Sequence, residues 1–311
     1  MIINEQKNYN TMQSFSLENI PDLDICVLGA LELINMEKIP KMNISFKRPI
    51  VVGSGNAEVT GRIIFHDTDA VFASESDFIE KIKNTKDIDG IVIVSASGGK
   101  HAPIIANLAN KYKKPTILLT NNKNAEAKKY VNKVFIFPKQ REPYTYNVSS
   151  YLGMILGKTK EDPKKIYNFI DNEIDKIILQ KLEGYDKYFL LIPSKFEPIK
   201  RMFQIKFMEL FGRKISRDIE TIEYMKHATT IVPSNELFIS LGVENKYYGE
   251  EHNRIYIPLP KNCDYGGLMA IGYYIIGKIQ KSQHPWFKEN IQEYVKRAGK
   301  IFNNKIEAIV E

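Results

Sequence analysis

The sequence predicts an α/β fold: two successive three-layer domains, each with a mostly parallel sheet sandwiched between helices. Three observations carry this prediction. Short, continuously apolar segments recur along the chain, each bounded by Gly, Ser, Asn or Pro. Stretches with amphipathic helical spacing separate them. The pattern also occurs twice, over residues 45–160 and again over 185–311, in a chain of 311 residues, about twice a common single-domain length. Strands that are apolar on both faces and alternate with helices belong to parallel sheets covered on both sides.

Taken in order, residues 1–44 read as an N-terminal helical segment, punctuated by Pro21 and Pro40 and helical near Ile25 to Met36. The first domain follows. Its strands are read at Ile50–Val52, Val71–Ala73, Ile91–Val94, Ile117–Leu119 and Val134–Phe137. Between the third and fourth, Ile104, Ile105, Leu108 and Tyr112 are placed on one helical face. Residues 161–184 form a helical connection, with Asp162-Pro163 breaking the helical stretch that leads into it. After Gly184 the alternation resumes, with a strand at Phe189–Ile192, a helix over Phe196–Phe211, and strands at Leu237–Ile239 and Ile255–Ile257. Helices from about Gly267 to Lys281 and from Trp286 to Ala298 close the second, smaller domain.

Composition excludes several classes. No apolar run approaches the roughly 20 residues of a membrane span, and the N-terminus lacks a basic start followed by an apolar stretch. A cytoplasmic protein without a membrane partner is expected. Two cysteines, Cys26 and Cys263, make no disulfide framework and no metal spacing; they read as buried thiols in a reducing compartment. The formal net charge is +7, and it is concentrated: the segment from Lys100 to Arg141 carries ten Lys/Arg against one acid, Glu126. Such a field attracts anionic ligands, although a solvated helical face looks the same in sequence. Aromatics do not interleave with these lysines as a stacking platform for single strands requires, so no nucleic acid partner is expected.

The strand at Ile91–Val94 runs directly into Ser95-Ala96-Ser97-Gly98-Gly99-Lys100, then a helix. Two hydroxyls, two glycines and a lysine at a helix N-terminus suit a phosphate: glycines allow close backbone approach, and free N–H groups and the helix dipole attract the anion. The plainer alternative is a glycine-rich turn with serine as N-cap. Gly53-Ser54-Gly55-Asn56-Ala57 also follows a strand but lacks the third glycine of a dinucleotide fingerprint, and no Walker-type ending occurs. A small phosphorylated ligand fits better than a nucleotide.

The Ser95-Ala96-Ser97-Gly98 segment resembles the Ser-x-Ser-Gly phosphate loop of the sugar isomerase (SIS) domain. Gly53-Ser54-Gly55 is similar to that domain's other substrate loop, and Ala73-Ser74-Glu75 sits where its members often carry Ala-Ser-Glu. The whole resembles the double-domain members of the family, the isomerase half of glucosamine-6-phosphate synthase and archaeal phosphoglucose/phosphomannose isomerases. The resemblance implies two tandem flavodoxin-like domains, no cofactor or metal, a sugar-phosphate ligand and a homodimer. Ser54, Gly55, Ser95, Ser97 and Gly98 are then the ligand-binding residues, with Lys100 where the family often has threonine. Thr145, together with Glu142, falls near a third substrate loop of the family.

Lys206-Phe207-Met208-Glu209 puts a lysine and a carboxylate three apart on one helical face, a spacing that by itself describes a surface ion pair. In the family, Lys-x-x-Glu on the first helix of the second domain is catalytic, and a downstream Glu-x-x-Lys-His supplies a histidine to the partner subunit. These imply catalytic roles for Lys206, Glu209 and His227, although Ala228 replaces the glycine that usually follows the histidine. Ser282–Lys288 is similar to the family's tail, which makes Lys288 a substrate-binding candidate with solvent exposure as the simpler reading; His101 reads as a helix-start residue. The chemistry implied is aldose–ketose isomerisation. Glu209 moves a proton between C1 and C2, Lys206 stabilises the developing negative charge, and His227 opens the sugar ring. A deaminase or deglycase using the same site, or a sugar-phosphate-binding protein without catalysis, stay open as alternatives.

Overall fold

The computed structural model of the chain describes residues 6–178 and 181–311. These fold into two compact units. One comprises residues 37–139 and 149–160. The other joins the described residues up to Met36, the short stretch Gln140–Val148 and the described residues from Glu161 onward. Helices α1 (Lys7–Ser14) and α2 (Leu23–Met36) therefore belong with the second unit.

The first unit is built on β1 (Pro49–Val52), β2 (Val71–Ala73), β3 (Gly90–Val94), β4 (Thr116–Thr120) and β5 (Lys133–Ile136). They form one sheet in the order β2-β1-β3-β4-β5, parallel throughout, with Ile50 beside Val71 and Ile91, and Ile117 beside Lys133. Connecting and flanking helices are α3 (Asn56–Ile64), α4 (Phe78–Asn84), α5 (His101–Lys111) and α6 (Val148–Thr159). All residues of β1, β3 and β4 are buried, which explains their unbroken apolar runs. Ile91, Ile93 and Leu118 pack against Ala102, Ile105, Ala106 and Ala109 of α5; each buried isoleucine or leucine stabilises by roughly 1.5–3 kcal/mol. Of the helical face read at Ile104, Ile105, Leu108 and Tyr112, the last three pack against this core and Ile104 is the exception. Ile104 is 60% exposed, and the inward stripe runs through 102, 105, 106 and 109 because the small alanines let α5 lie close to the strands.

The second unit adds β6 (Glu142–Pro143), α7 (Pro163–Phe169), α8 (Asp175–Ile178), β7 (Lys187–Ile192), α9 (Lys200–Phe211), β8 (Ser216–Thr221) and α10 (Ile222–Ala228). Beyond these come β9 (Leu237–Leu241), β10 (Arg254–Ile257), α11 (Tyr265–Ser282), α12 (Trp286–Phe302) and β11 (Ile309–Val310). Its parallel sheet has the order β10-β9-β7-β8, and β11 pairs with β6 antiparallel. Strand β8 has no counterpart in the sequence reading. Lying at the sheet edge, it buries only Ile219 and Thr221, so its sequence Ser-Arg-Asp-Ile-Glu-Thr shows no apolar run. The break expected at Asp162-Pro163 is the start of α7: the Asp162 carboxylate accepts the Lys164 and Lys165 N–H groups, with Pro163 in the first turn, as helix starts favour.

Helix α11 is buried along most of its length and meets α2 at Gly277, where a Cβ would stand 2.0 Å from the Asp24 backbone nitrogen. Only a glycine permits that crossing. The Gln280 side chain accepts the Leu23 N–H at 2.9 Å and donates to the Tyr146 hydroxyl at 3.0 Å. Lys278 reaches Asp175 at 2.7 Å and the buried Asp24 at 3.4 Å. No helix among the described residues is long and apolar enough to cross a membrane.

Candidate functional site

In the first unit the chain starts in β1, crosses to β2 on one side, then to β3, β4 and β5 on the other. The order therefore reverses between β1 and β3, and open α/β sheets bind ligands beyond the carboxyl ends of such a pair. The residues that follow those two strands are Gly53–Gly55 and Ser95–Lys100. All six candidates of this unit (Ser54, Gly55, Ser95, Ser97, Gly98 and Lys100) thus sit at one edge of one sheet.

The loop from Ser95 to Lys100 has a defined polarity. The Ala96 carbonyl accepts from Asn121 N (3.2 Å) and Thr120 Oγ1 (2.8 Å), the Ser97 carbonyl from Asn122 Nδ2 (2.8 Å) and the Gly98 carbonyl from Ala127 N (3.0 Å). In a planar trans peptide the N–H opposes the C=O. The amides of Ser97, Gly98 and Gly99 therefore turn away from the β4 loop, toward the serine hydroxyls. Ser95 Oγ accepts from Gly98 N at 3.1 Å and Ser97 Oγ from Gly99 N at 3.3 Å. A hydroxyl that accepts in this way keeps its own proton to donate to an anion. Gly98 has φ +60° and a Cβ there would sit 2.4 Å from the Ala125 Cβ, so the tight turn requires glycine. Helix α5 begins directly afterwards, and its N-terminus adds a positive field. Neither serine caps it: the N-cap position is Lys100, without a side-chain cap bond. His101 is the first residue of α5, as read. Near the other loop, Ser54 Oγ donates to a carboxylate oxygen of Glu75.

The second unit assembles a different group. Lys206 lies on the inner face of α9 and is completely buried. Its ammonium donates to the carbonyl of Thr145, to the carbonyl of Tyr146 at 2.8 Å and to Glu209 Oε2 at 2.7 Å. An ammonium has three protons, and all three are given to protein acceptors. A buried charge needs such compensation. Lys206 thus holds the 145–146 turn and the Glu209 carboxylate, beside the role toward developing negative charge that the sequence reading gives it. The Glu209 side chain stays 19% exposed, with Oε2 anchored by the ammonium.

The turn itself is strained. Thr145 has φ +80° and Asn147 φ +47°, and a β-branched residue at positive φ costs about 1–3 kcal/mol. Thr145 is buried, and its Oγ1 has no hydrogen-bond partner among the described residues. Glu142, two residues before Tyr144, is also buried; it accepts Val148 N at 2.7 Å and Gln140 Nε2 at 3.2 Å, holding the start of α6.

Tyr144 and Tyr294, with ring centroids 6.0 Å apart, stand next to Glu209. Both phenols are pushed above their ordinary range, first by burial and then by the Glu209 charge. Sequence reasoning missed them because nothing local marks a tyrosine as the neighbour of a carboxylate more than sixty residues away. Cys26 is buried here too; burial, then the Glu142 charge, raises its thiol well above the usual range.

Two candidates have other partners. Lys288 forms an ion pair with Asp22 at 2.7 Å, both side chains largely covered, which corrects the reading of a solvent-exposed lysine. His227 is 77% exposed on α10, 3.9 Å from Glu223, whose carboxyl the Lys226 ammonium holds below its ordinary range. Among the described residues no cluster of three or more His, Cys, Asp or Glu could hold a metal ion.

No protein-family model matches the sequence, and no curated protein matches it significantly. Solved structures do share its fold. The chain is similar to glucosamine-6-phosphate deaminase from Thermotoga maritima, with TM-score 0.57 and 16% identity over 89% of this chain and 93% of the other. Tagatose-6-phosphate ketose/aldose isomerase from Escherichia coli gives TM-score 0.55 and 12% identity, over 89% and 91% of the two chains. The C-terminal domain of glucosamine-fructose-6-phosphate aminotransferase from Francisella tularensis gives 0.54 and 12%, over 88% and 92%. The class defined is thus an α/β fold with parallel sheets, the one these phosphosugar proteins share.

Proposed function

We propose that the protein is an aldose–ketose isomerase acting on a hexose phosphate or amino-sugar phosphate. The observation that carries this reading is the Glu209 carboxylate, held at 2.7 Å by a buried ammonium while its side chain stays 19% exposed. In the proposed mechanism the Ser95–Lys100 loop binds the phosphate through the Ser95 and Ser97 hydroxyls, whose protons the Gly98 and Gly99 amides leave free to donate, and the α5 N-terminus. Glu209 takes a proton from one of the two carbons and returns it to the other, as general base and then general acid. Neutral tyrosines beside it, with their phenols pushed above the ordinary range, supply hydrogen-bond donors rather than competing charge. Ser54, donating to Glu75, keeps lone pairs for a sugar hydroxyl. His227 opens the ring from a second copy of the chain, which makes the active form a homodimer, in the cytoplasm.

A second reading has the same proton transfer lead to loss of an amine. The fold match to a glucosamine-6-phosphate deaminase favours keeping it. One experiment addresses both: incubation in deuterated water with fructose, glucose, mannose and glucosamine 6-phosphates, following deuterium at C2 and released ammonia. Deuterium uptake that falls by about 10²–10⁴ in Glu209→Gln supports the isomerase, and ammonia release of the same dependence supports the deaminase. Ligand binding with neither product overturns both and leaves a binding protein.

A further inference from the structure

We infer that β11 is a positioning strap for Glu209: by pairing with β6 it holds the strained Thr145–Asn147 turn, and through that turn the Lys206 ammonium that aims the carboxylate. This inference rests on reading Glu209 as the base. Its structural argument lies entirely within the second unit.

A turn with two non-glycine residues at positive φ, one of them a β-branched threonine, persists only when its surroundings over-determine it. From below, Lys206 donates to the carbonyls of Thr145 and Tyr146. From behind, the Tyr146 hydroxyl donates to the Pro21 carbonyl at 2.9 Å, and the ring stacks on Phe287 with centroids 6.0 Å apart. The remaining side is covered by residues 308–311.

The register there is specific. Ile309 stands opposite Pro143 and Val310 opposite Glu142, while Tyr144 N donates to the Ala308 carbonyl at 2.8 Å. In an antiparallel ladder, hydrogen-bonded and non-bonded pairs alternate. The 144/308 and 142/310 pairs are the bonded ones, and Pro143, which has no N–H to give, falls at the non-bonded position between them. The proline therefore costs the ladder nothing and fixes its register. Arg141 extends the contact: its Nε lies 3.3 Å from Glu311 Oε1, and its guanidinium covers the Phe15 ring at 4.5 Å.

The strap ends at Tyr144, the residue immediately before the strained turn, and Tyr144 itself stands in the field of Glu209. Loosening the strap lets the turn relax toward ordinary backbone angles. Two of the three acceptors of Lys206 then move, and the third, Glu209, swings with the ammonium. A displacement of that kind lowers turnover without touching phosphate recognition, which belongs to the other unit's loop.

The test compares the whole chain with a form lacking Ala308–Glu311, and with Val310→Pro, which removes a single ladder donor. With the phosphosugar that the full chain turns over, the deletion is expected to lower kcat by about ten- to a hundredfold and leave KM within about twofold. Val310→Pro is expected to lower kcat by less, in the same direction. Hydrogen exchange of the 144–148 amides should speed up by about tenfold or more. Folded variants with unchanged kcat and unchanged exchange in this stretch overturn the strap. If the full chain turns over none of the phosphosugars, the functional reading has failed, and the exchange of the 144–148 amides alone decides whether the strap holds the turn.

Discussion

The serine loop and the lysine–glutamate cluster hold charge in opposite ways. The loop is a surface device for a charge that comes and goes. It consists of neighbouring residues, Ser97 is exposed, and its carbonyls are tied to the adjacent β4 loop while the Gly98 and Gly99 amides donate to the serine hydroxyls. The cluster keeps a permanent ammonium in the interior and satisfies it completely, with carbonyls sixty residues distant in sequence. An arriving anion brings its own charge, so a loop of dipoles suffices. A resident charge must be compensated inside the fold, and its partners are part of the core.

The largest effect that separates the two regions is expected from Lys206→Met. It strands two buried carbonyls and removes the ion pair to Glu209, and breaking a buried pair costs about 3–5 kcal/mol. Denaturant titration should show the loss, and Lys206→Arg should not restore the wild-type value, because a planar guanidinium cannot meet three convergent acceptors.

In the loop, Gly98→Ala combines an unfavourable φ with the 2.4 Å approach to Ala125. A cost of about 1–3 kcal/mol and a loss of phosphate binding are expected, read by thermal melting and by titration with inorganic phosphate. Equal binding in the alanine variant would mean that the turn is not the anion site.

Asp24 sharpens the contrast from within the second unit, since it is buried with a lysine at 3.4 Å and less complete compensation than Lys206. Burial raises its carboxyl above 3.8 despite the Lys278 charge. A carboxyl raised in the folded state holds its proton more tightly there than in the unfolded chain. Its contribution to stability therefore falls as pH rises from 3.8 through the raised value, then stays constant. Urea titrations over this window should find a shallower decline in Asp24→Asn than in the wild type. Asp67 and Asp175, lowered by their lysines, act in the opposite direction in both chains.

Ser97→Ala is the mildest change. Stability should stay within about 0.5 kcal/mol, while phosphate affinity falls by about five- to tenfold with the loss of one donor. An unchanged affinity would remove Ser97 from the site.

The same contrast explains what could be read in the chain before its structure. Strands β1, β3 and β4 are buried on both faces, so their composition alone marks them, and the loops after β1 and β3 lie next to them in sequence. The Lys206–Glu209 spacing was visible as well. Its burial was not, because an i, i+3 pair looks alike on an inner and an outer face. Tyr144, Tyr294 and the strap depend on contacts between distant segments, and β8 and β11 are too polar or too short to leave a periodic trace. For Lys288 and Ile104 the deciding contact lies outside their own helix: Asp22, just before α2, pairs with the lysine, and the strands of the sheet set the inward face of α5.

The crossing of α2 and α11 at Gly277 has a consequence for synthesis. The helix that α11 receives is made roughly 230 residues earlier. At about 5–20 residues per second, the side of α2 that meets α11 waits tens of seconds for that partner, while α1 is already made and the intervening five-stranded sheet has every strand in hand. That face of α2 gains its last helical partner only when residue 282 has been made.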